Sequence, residues 1–370
     1  MLKVLIHSPY KTNTGYGYKS RDFIRAFIKV FPQYDTKLFN KVWNHSIQID
    51  VEDLDELLVT EVKETPDLFI HIGLPNEMQF VGKKNILVTA GTEVSKIPNE
   101  WYEYLNKCDL VIVPSKFTKS LLPIKVRTEV LFEGYNHKIV PQDVNLDIVE
   151  EDFCFLYVGQ FMNNGAFSQD RKNLGNTIVH FLETFKNKKK KPALIIKSQM
   201  GSCSKADYYT VYEYINSLKE LFKKDSLPNI YLLHGELSDE EMFGLYNHPK
   251  VKAMVSLTRG EGFGRPLLEF ATTNKPIIVS KHSGHLDFLG AKTTNFVNGK
   301  MVTIHPNAVW SAMPQDSKWF EPNYNEYKKH LVDVFENYNE DRVKRDWGRD
   351  LERFSMESME RKLKEILYGE

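Results

Sequence analysis

The chain has 370 residues, 42% of them hydrophobic, and its 49 Lys plus Arg are balanced by 49 Asp plus Glu. That length can bury the cores of two α/β domains, and the balance supplies no global basic field of the kind nucleic acid or an acidic membrane selects. Cys108, Cys154 and Cys203 are widely spaced, which argues against a disulfide framework or zinc site and for a reducing compartment. The N-terminus opens directly on a strand-like run and no long apolar span follows, so no signal-like or transmembrane segment is expected and the cytoplasm is the expected location.

Residues 3–7 form a short apolar strand pattern around Val4, Leu5 and Ile6. The loop at 8–17 carries Gly15, Tyr16 and Gly17, and an amphipathic helix is predicted over 18–30. Strand, glycine loop and helix in that order bring a loop to the carboxyl edge of a parallel sheet. The third glycine of a dinucleotide fingerprint is absent, and a plain strand-to-helix turn fits Gly15-x-Gly17 equally well. Strand patterns follow at 67–71, ending in His71, at 85–90, leading into Gly91-Thr92-Glu93, at 109–115 and at 126–132. The polar, acidic stretch 141–152 lacks periodicity and is the expected domain boundary.

A second half restarts with the buried strand pattern 153–159. A polar loop then reaches Asp170, Arg171, Lys172 and Asn173, ahead of a helix predicted over 174–185. Cations at a helix N-terminus oppose its dipole, so Arg171 and Lys172 are either solvated surface charges or partners of a bound anion. The strand at 193–197 ends in Lys197 at the carboxyl edge, a placement suited to phosphate. Another at 229–234 leads to Gly235 and then to Ser238, an N-cap with Glu241 three residues on, the spacing of a capping box. From 325 the chain is polar and helical, with Trp347, Leu351 and Phe354 spaced for one buried face.

Between these lies the most informative stretch, Thr258 to Glu269, fed by a strand at 253–257. Gly260, Gly262 and Gly264 let backbone amides approach a ligand at the positive end of a helix that has Pro266 near its first position. Such an end favours phosphate, but Glu261 and Glu269 are carboxylates, which repel phosphate and accept hydrogen bonds from hydroxyls. Amides and carboxylates together suit a polyhydroxy ligand, a ribose or a sugar. The alternative is a glycine turn before a helix charge that complements the dipole. Beyond it, His282 and His285 stand at i, i+3, a spacing that would bring two metal-ligating side chains together on a helix.

Glu261 and Glu269, with seven residues between them and Gly262-Phe263-Gly264 inside, resemble the E-x7-E signature of retaining GT-B glycosyltransferases, family 4 in particular. The string Val113-Pro114-Ser115-Lys116-Phe117-Thr118 and the turn Glu133-Gly134-Tyr135-Asn136 are similar to segments late in that family's N-terminal domain. The resemblance implies an α/β chain of GT-B type, two Rossmann-like domains facing a cleft. Residues 1–145 would be the acceptor domain, 146–324 the nucleotide-sugar domain, and 325–370 helices returning toward the first domain. It further implies Glu269 on the donor ribose, with Glu261 and the amides of Gly262, Phe263 and Gly264 on the transferred sugar. Lys172 and Arg171 would meet phosphate and the turn at Gly235 the base. Gly15, Tyr16 and Gly17 would lie near sugar and phosphates, and His71 would touch the donor sugar. Two positions depart from the family. Gln160 takes the place of a usual arginine, leaving that charge to Arg171, Arg259 or Arg265, and Arg265 stands where an apolar residue is frequent, a change that would tune donor choice.

The activity so implied is a retaining hexosyl or pentosyl transfer from a nucleotide-sugar donor to a hydroxyl acceptor, a glycan, a lipid or another molecule. No metal or other cofactor is expected, because cations of the chain itself would carry the diphosphate charge. Other readings stay open at this point. A phage-type glycosyltransferase acting on hydroxymethylated bases in DNA would need a basic trough, for which Lys11, Lys19, Arg21, Arg25 and Lys41 are the candidates. A nucleotide-sugar-binding protein without turnover and a GT-B epimerase are the remaining alternatives.

Overall fold

The computed structural model describes residues 1–43, 48–162, 168–201, 203–290, 294–309, 313–340 and 351–369. The chain divides into two compact units, one of Met1–Asn136 with Ser311–Pro314 and Leu351–Glu370, the other of His137–Trp310 with Gln315–Asp350.

The described residues of the first unit form a parallel sheet from β1 (Lys3–Ser8), β2 (Asp35–Asn40), β3 (Leu68–Ile72), β4 (Lys84–Val88), β5 (Leu110–Val113) and β6 (Thr128–Val130), in the order β2-β1-β3-β4-β5-β6. Its central strands read as continuous apolar runs because helices cover both faces. Val4, Leu5 and Ile6 are buried, as are Leu110 to Val113. The helices are α1 (Gly15–Val30), α2 (Glu52–Asp55), α3 (Trp101–Lys107) and α4 (Lys116–Ser120).

Helix α1 begins earlier than its periodicity suggests. The Thr14 hydroxyl caps it by accepting the Gly17 amide at 3.2 Å. Gly15, Tyr16 and Gly17 are therefore its first turn and not an open loop. Gly17 has a packing reason to be glycine, since a Cβ there would sit 1.8 Å from the Thr12 carbonyl oxygen. Phe23, Ile24, Phe27 and Phe31 then line the face that joins Val4 and Ile6 in the core.

The second unit repeats the scheme with β7 (Cys154–Val158), β8 (Ala193–Lys197), β9 (Ile230–Leu233), β10 (Val251–Ser256), β11 (Ile277–Ser280) and β12 (Thr294–Val297), in the order β12-β11-β10-β7-β8-β9. Strands β7 to β9 run out to one edge and β10 to β12 to the other. The order therefore reverses between the neighbours β7 and β10, the switch point of the sheet, where the loops leaving their carboxyl ends lie side by side. Around the sheet lie α5 (Leu174–Phe185), α6 (Lys205–Lys219), α7 (Asp239–Asn247), α8 (Arg265–Ala271) and α9 (Tyr324–Glu336). Phe155, Tyr157, Ile178, Phe181 and Ile196 form the core with Tyr327 and Leu331 of α9. The capping box of α7 is formed as its spacing predicts: Ser238 Oγ accepts the Glu241 amide at 3.2 Å and Glu241 accepts the Ser238 amide at 2.7 Å.

Not apparent in the sequence are α3, α6, β12 and an antiparallel hairpin of β13 (Gly299–Thr303) and β14 (Lys318–Pro322). The chain ends in α10 (Met356–Tyr368), whose Leu363 and Ile366 join the core beside α1 and whose Glu360 pairs with Lys29 at 2.8 Å. Of the three residues expected on one buried face, Leu351 and Phe354 are buried, and Trp347 lies outside the described residues.

Candidate functional site

In the second unit the loops after β7 and β10 are laced together at the strand-order reversal. The Arg259 amide donates to the Arg171 carbonyl at 2.9 Å, Asn173 Nδ2 to the Leu257 carbonyl at 3.0 Å, and Arg171 Nη1 to the Gly260 carbonyl at 2.5 Å. Asn173 turns the chain into α5 through a left-handed conformation, φ 58°, which Asn tolerates better than most residues. This sets Lys172 across from Glu261, its Nζ 2.5 Å from Oε1, with Arg171 Nη1 3.6 Å from the same oxygen. Burial works to raise the Glu261 carboxyl, but Lys172 and Arg171 outweigh it and hold it below its ordinary value.

The cations of the two loops divide by task. Arg259 is sealed: its guanidinium pairs with Glu321 of β14 at 2.8 Å, donates to the Ser168 and Asp170 carbonyls, and lies 4.5 Å from the centre of the Trp319 ring. It is a structural cross-link, its guanidinium taken up by these contacts. Arg171 is also buried against Gly260. Lys172 is more open, and an ammonium has two further N–H donors after its bond to Glu261. Gln160 donates to the Met200 carbonyl at 3.1 Å.

On α8, Glu269 is nearly buried and both its oxygens are engaged. Arg265 Nε reaches Oε1 at 2.8 Å, and the Tyr246 hydroxyl of α7 reaches Oε2 at 3.2 Å. Burial raises this carboxyl above its ordinary value, against the pull of Arg265 and Tyr246. Each carboxylate oxygen keeps a second lone-pair direction, which is what a ribose hydroxyl would use. Gly264, at φ 97°, makes the turn into α8. The Phe263 ring is buried at 5.0 Å from Phe288, so a ligand would meet this residue through its backbone.

The turn after β11 lies behind the Glu261 loop. Ser283 Oγ accepts the Glu261 amide at 3.0 Å and the Gly284 amide donates to the Glu261 carbonyl at 3.0 Å. Ser283 has φ 77° and ψ −162°, a region left almost entirely to glycine and costing on the order of 1–3 kcal/mol for other residues. The neighbouring histidines have other partners. His285 Nε2 bonds the Ser280 carbonyl at 2.7 Å and its ring is buried, which pushes it down to about 4, while His282 stacks 5.1 Å from Phe320. They do not converge as metal ligands. Lys197 Nζ donates to the Gly235 carbonyl at 2.5 Å, tying the ends of β8 and β9, and burial pushes its ammonium down. Gly235 needs to be glycine at φ 106°.

In the first unit, His71 is fully buried at the carboxyl end of β3, its Nδ1 3.2 Å from Nδ1 of His7 on β1. Burial pushes His71 down to about 3, so it is a neutral imidazole. Tyr16 is held by its hydroxyl, which accepts the Ala90 amide at 2.9 Å and lies 3.1 Å from Thr89 Oγ1. The basic residues considered for a DNA trough are either paired or buried. Lys11 pairs with Asp55 at 2.8 Å, Arg25 with Asp53 at 2.7 Å and Lys41 with Glu77 at 3.3 Å. Arg21 is buried on the Tyr10 and Thr12 carbonyls, and Lys19 is buried.

The structure brings Lys172 and Glu261 together and sets Glu269 on the helix that follows, while Tyr246, Ser283, Asn173 and Glu321, which hold them or their loops, are not singled out by the sequence. Among the described residues, no group of three His, Cys, Asp or Glu could hold a metal ion, and no helix is long and apolar enough to cross a membrane.

No protein-family model and no curated protein matches the chain. Solved structures do resemble it along its whole length. The lipopolysaccharide outer core galactosyltransferase WaaB in its apo form is 14% identical with a TM-score of 0.61, covering 100% of this chain and 99% of its own. Sucrose-phosphate synthase from Thermosynechococcus elongatus is 13% identical with a TM-score of 0.63 over 100% and 99%. Anabaena HepE in complex with UDP and glucose is 11% identical with a TM-score of 0.65 over 100% of both chains. At such identities the likeness establishes the fold: two Rossmann-like units on the GT-B plan.

Proposed function

We propose that this chain is a glycosyltransferase that takes a sugar from a nucleotide-sugar donor and transfers it, with retention, to a hydroxyl acceptor. One observation carries the reading. At the strand-order reversal of the second unit, Lys172 and Arg171 converge on Glu261, while Glu269 stands one element further along the same turn. A cation for phosphate beside two carboxylates for hydroxyls is the charge pattern of a nucleotide sugar. Similarity to HepE, whose structure holds UDP and glucose, supports it.

In this reading Glu269 accepts from the ribose hydroxyls and Glu261 holds the transferred sugar. As the anomeric C–O bond breaks, its electron pair passes to the diphosphate, and Lys172 stabilises the charge that grows there. A leaving phosphate oxygen takes the acceptor's proton on the same face, so no carboxylate need attack the sugar, and Glu261 stays ionised to orient it. The chain's own cations suffice for the diphosphate in this scheme, without a metal. The paired or buried basic residues of the first unit weigh against DNA as acceptor and leave a glycan, a lipid or another hydroxyl compound.

The test is a panel of UDP-, GDP- and ADP-sugars, followed by thermal shift and by released nucleotide. With the donor identified, Glu269→Ala should weaken nucleotide binding by about tenfold, the worth of a charged hydrogen bond. Lys172→Ala should lower turnover by about a hundredfold and binding much less. Donor hydrolysis unchanged in both variants would overturn the assignment.

A further inference from the structure

Glu261 is gripped from behind by two consecutive residues of another loop, Ser283 taking its amide and Gly284 its carbonyl. The two loops approach as closely as backbone allows. A Cβ on Gly284 would lie 2.1 Å from the Gly262 carbonyl oxygen. The Ser283 hydroxyl donates to the His282 carbonyl, which fixes its rotor and leaves its lone pairs for the Glu261 amide. Yet the Ser283 backbone, at φ 77° and ψ −162°, is one that glycine adopts freely and a residue with a Cβ does not. Glycine would suit this position conformationally, but glycine has no hydroxyl.

We propose that Ser283 is a positioning residue for Glu261. Its hydroxyl sets the Glu261 backbone, and thereby the direction from which the carboxylate meets Lys172 and the transferred sugar. The serine is kept in a strained conformation for that bond. This inference rests on the reading of Glu261 as the carboxylate that holds the sugar.

Ser283→Gly and Ser283→Ala separate positioning from mere stability, because the first relieves the strain and both remove the hydroxyl. The readout is the gain in affinity that the sugar adds, measured by calorimetry as Kd for UDP against UDP-glucose, GDP against GDP-mannose, and ADP against ADP-glucose. The pair with the largest gain in the unmodified protein is used. Ser283→Gly should melt at the same or a higher temperature, bind the bare nucleotide unchanged, and lose the sugar-dependent gain by about tenfold. Ser283→Ala should lose the same gain while melting lower, since it keeps the strain. Ser283→Gly that is stable and retains the full gain, in a protein where Glu261→Ala abolishes it, overturns the inference and leaves the reading of Glu261 intact. If Glu261→Ala leaves the gain untouched, or the unmodified protein shows none with any pair, the reading of Glu261 fails and the inference falls with it. Should Ser283→Gly not fold, Ser283→Ala decides alone, its retained gain counting against the proposal and its lost gain for it.

Discussion

Glu261 and Glu269 belong to one turn and the short helix it starts, yet their surroundings push them in opposite directions. Burial opposes ionisation of both. At Glu261 the two cations Lys172 and Arg171 win, and the carboxyl lies below 4.5. At Glu269 burial wins over Arg265 and Tyr246, and the carboxyl lies above 4.5. In the proposed function Glu269 accepts from the ribose, a role its ionised form serves better than its protonated one. On acidification, nucleotide affinity should therefore fall first, through a pH above 4.5, while the sugar-dependent gain attributed to Glu261 persists to lower pH. Tyr246→Phe removes a hydrogen bond that favours the ionised form, so it should move the nucleotide limb to still higher pH and leave affinity at pH 8 much less affected. Calorimetric titration of the nucleotide between pH 4.5 and 8 reads both. A limb that stays in place in Tyr246→Phe would mean that this hydroxyl does not tune Glu269.

At the level of elements, the two glycines at the start of α1 make opposite predictions. Gly15 has open space where a Cβ would go, and Gly17 has none. Gly15→Ala should raise stability by about 0.5 kcal/mol through lost freedom of the unfolded chain. Gly17→Ala should lower it by about 3 kcal/mol through the clash with Thr12. Urea unfolding measures both, and a Gly15→Ala protein that is stabler but weaker toward donor would identify Gly15 as a ligand contact. What the sequence makes legible follows the same logic of local against distant causes. Parallel strands buried on both faces announce themselves as apolar runs, so β7 and β8 could be read almost to the residue. The hairpin of β13 and β14 could not, because its exposed, mixed residues, such as Lys300, Met301 and Lys318, carry no clear period. With it went Glu321 and Trp319, and hence the sealing of Arg259, which a local reading leaves as a candidate for phosphate. Lys172, Glu261 and Glu269 were legible because loop, strand end and helix start lie in fixed sequence order. Tyr246 and Ser283 were not, because the bonds that give them meaning cross between elements, and nothing in the residue types around them marks those bonds.

The whole molecule is balanced in formal charge, with 49 basic and 49 acidic side chains, but one of its lysines is out of balance with its surroundings. Lys19 of α1 is buried beside Phe23, Val88, Leu131 and Met359, and its ammonium has no hydrogen-bond partner among the described residues. Burial pushes it down to about 8, against an upward pull from Glu133. Below pH 8 both folded and unfolded chains hold the proton, and the folded state carries the full cost of a buried charge. Between about 8 and 10.5 only the unfolded chain holds it, so this lysine's contribution to stability rises with pH across that window. The cost below the window is on the order of 3 kcal/mol, before any relief from water reaching the site. Lys19→Met keeps the length and removes the charge, so it should stabilise the protein at pH 7 by about 1–3 kcal/mol. That advantage over the unmodified chain should shrink toward zero as the pH approaches 10.5, where the unmodified folded chain no longer carries the charge. Urea unfolding at pH 7 and pH 10, followed by circular dichroism, gives both differences, and other titrating groups cancel because each comparison is made at one pH. A Lys19→Met protein less stable at pH 7 would mean that the ammonium is satisfied in solution and that its charge helps to hold α1 in place.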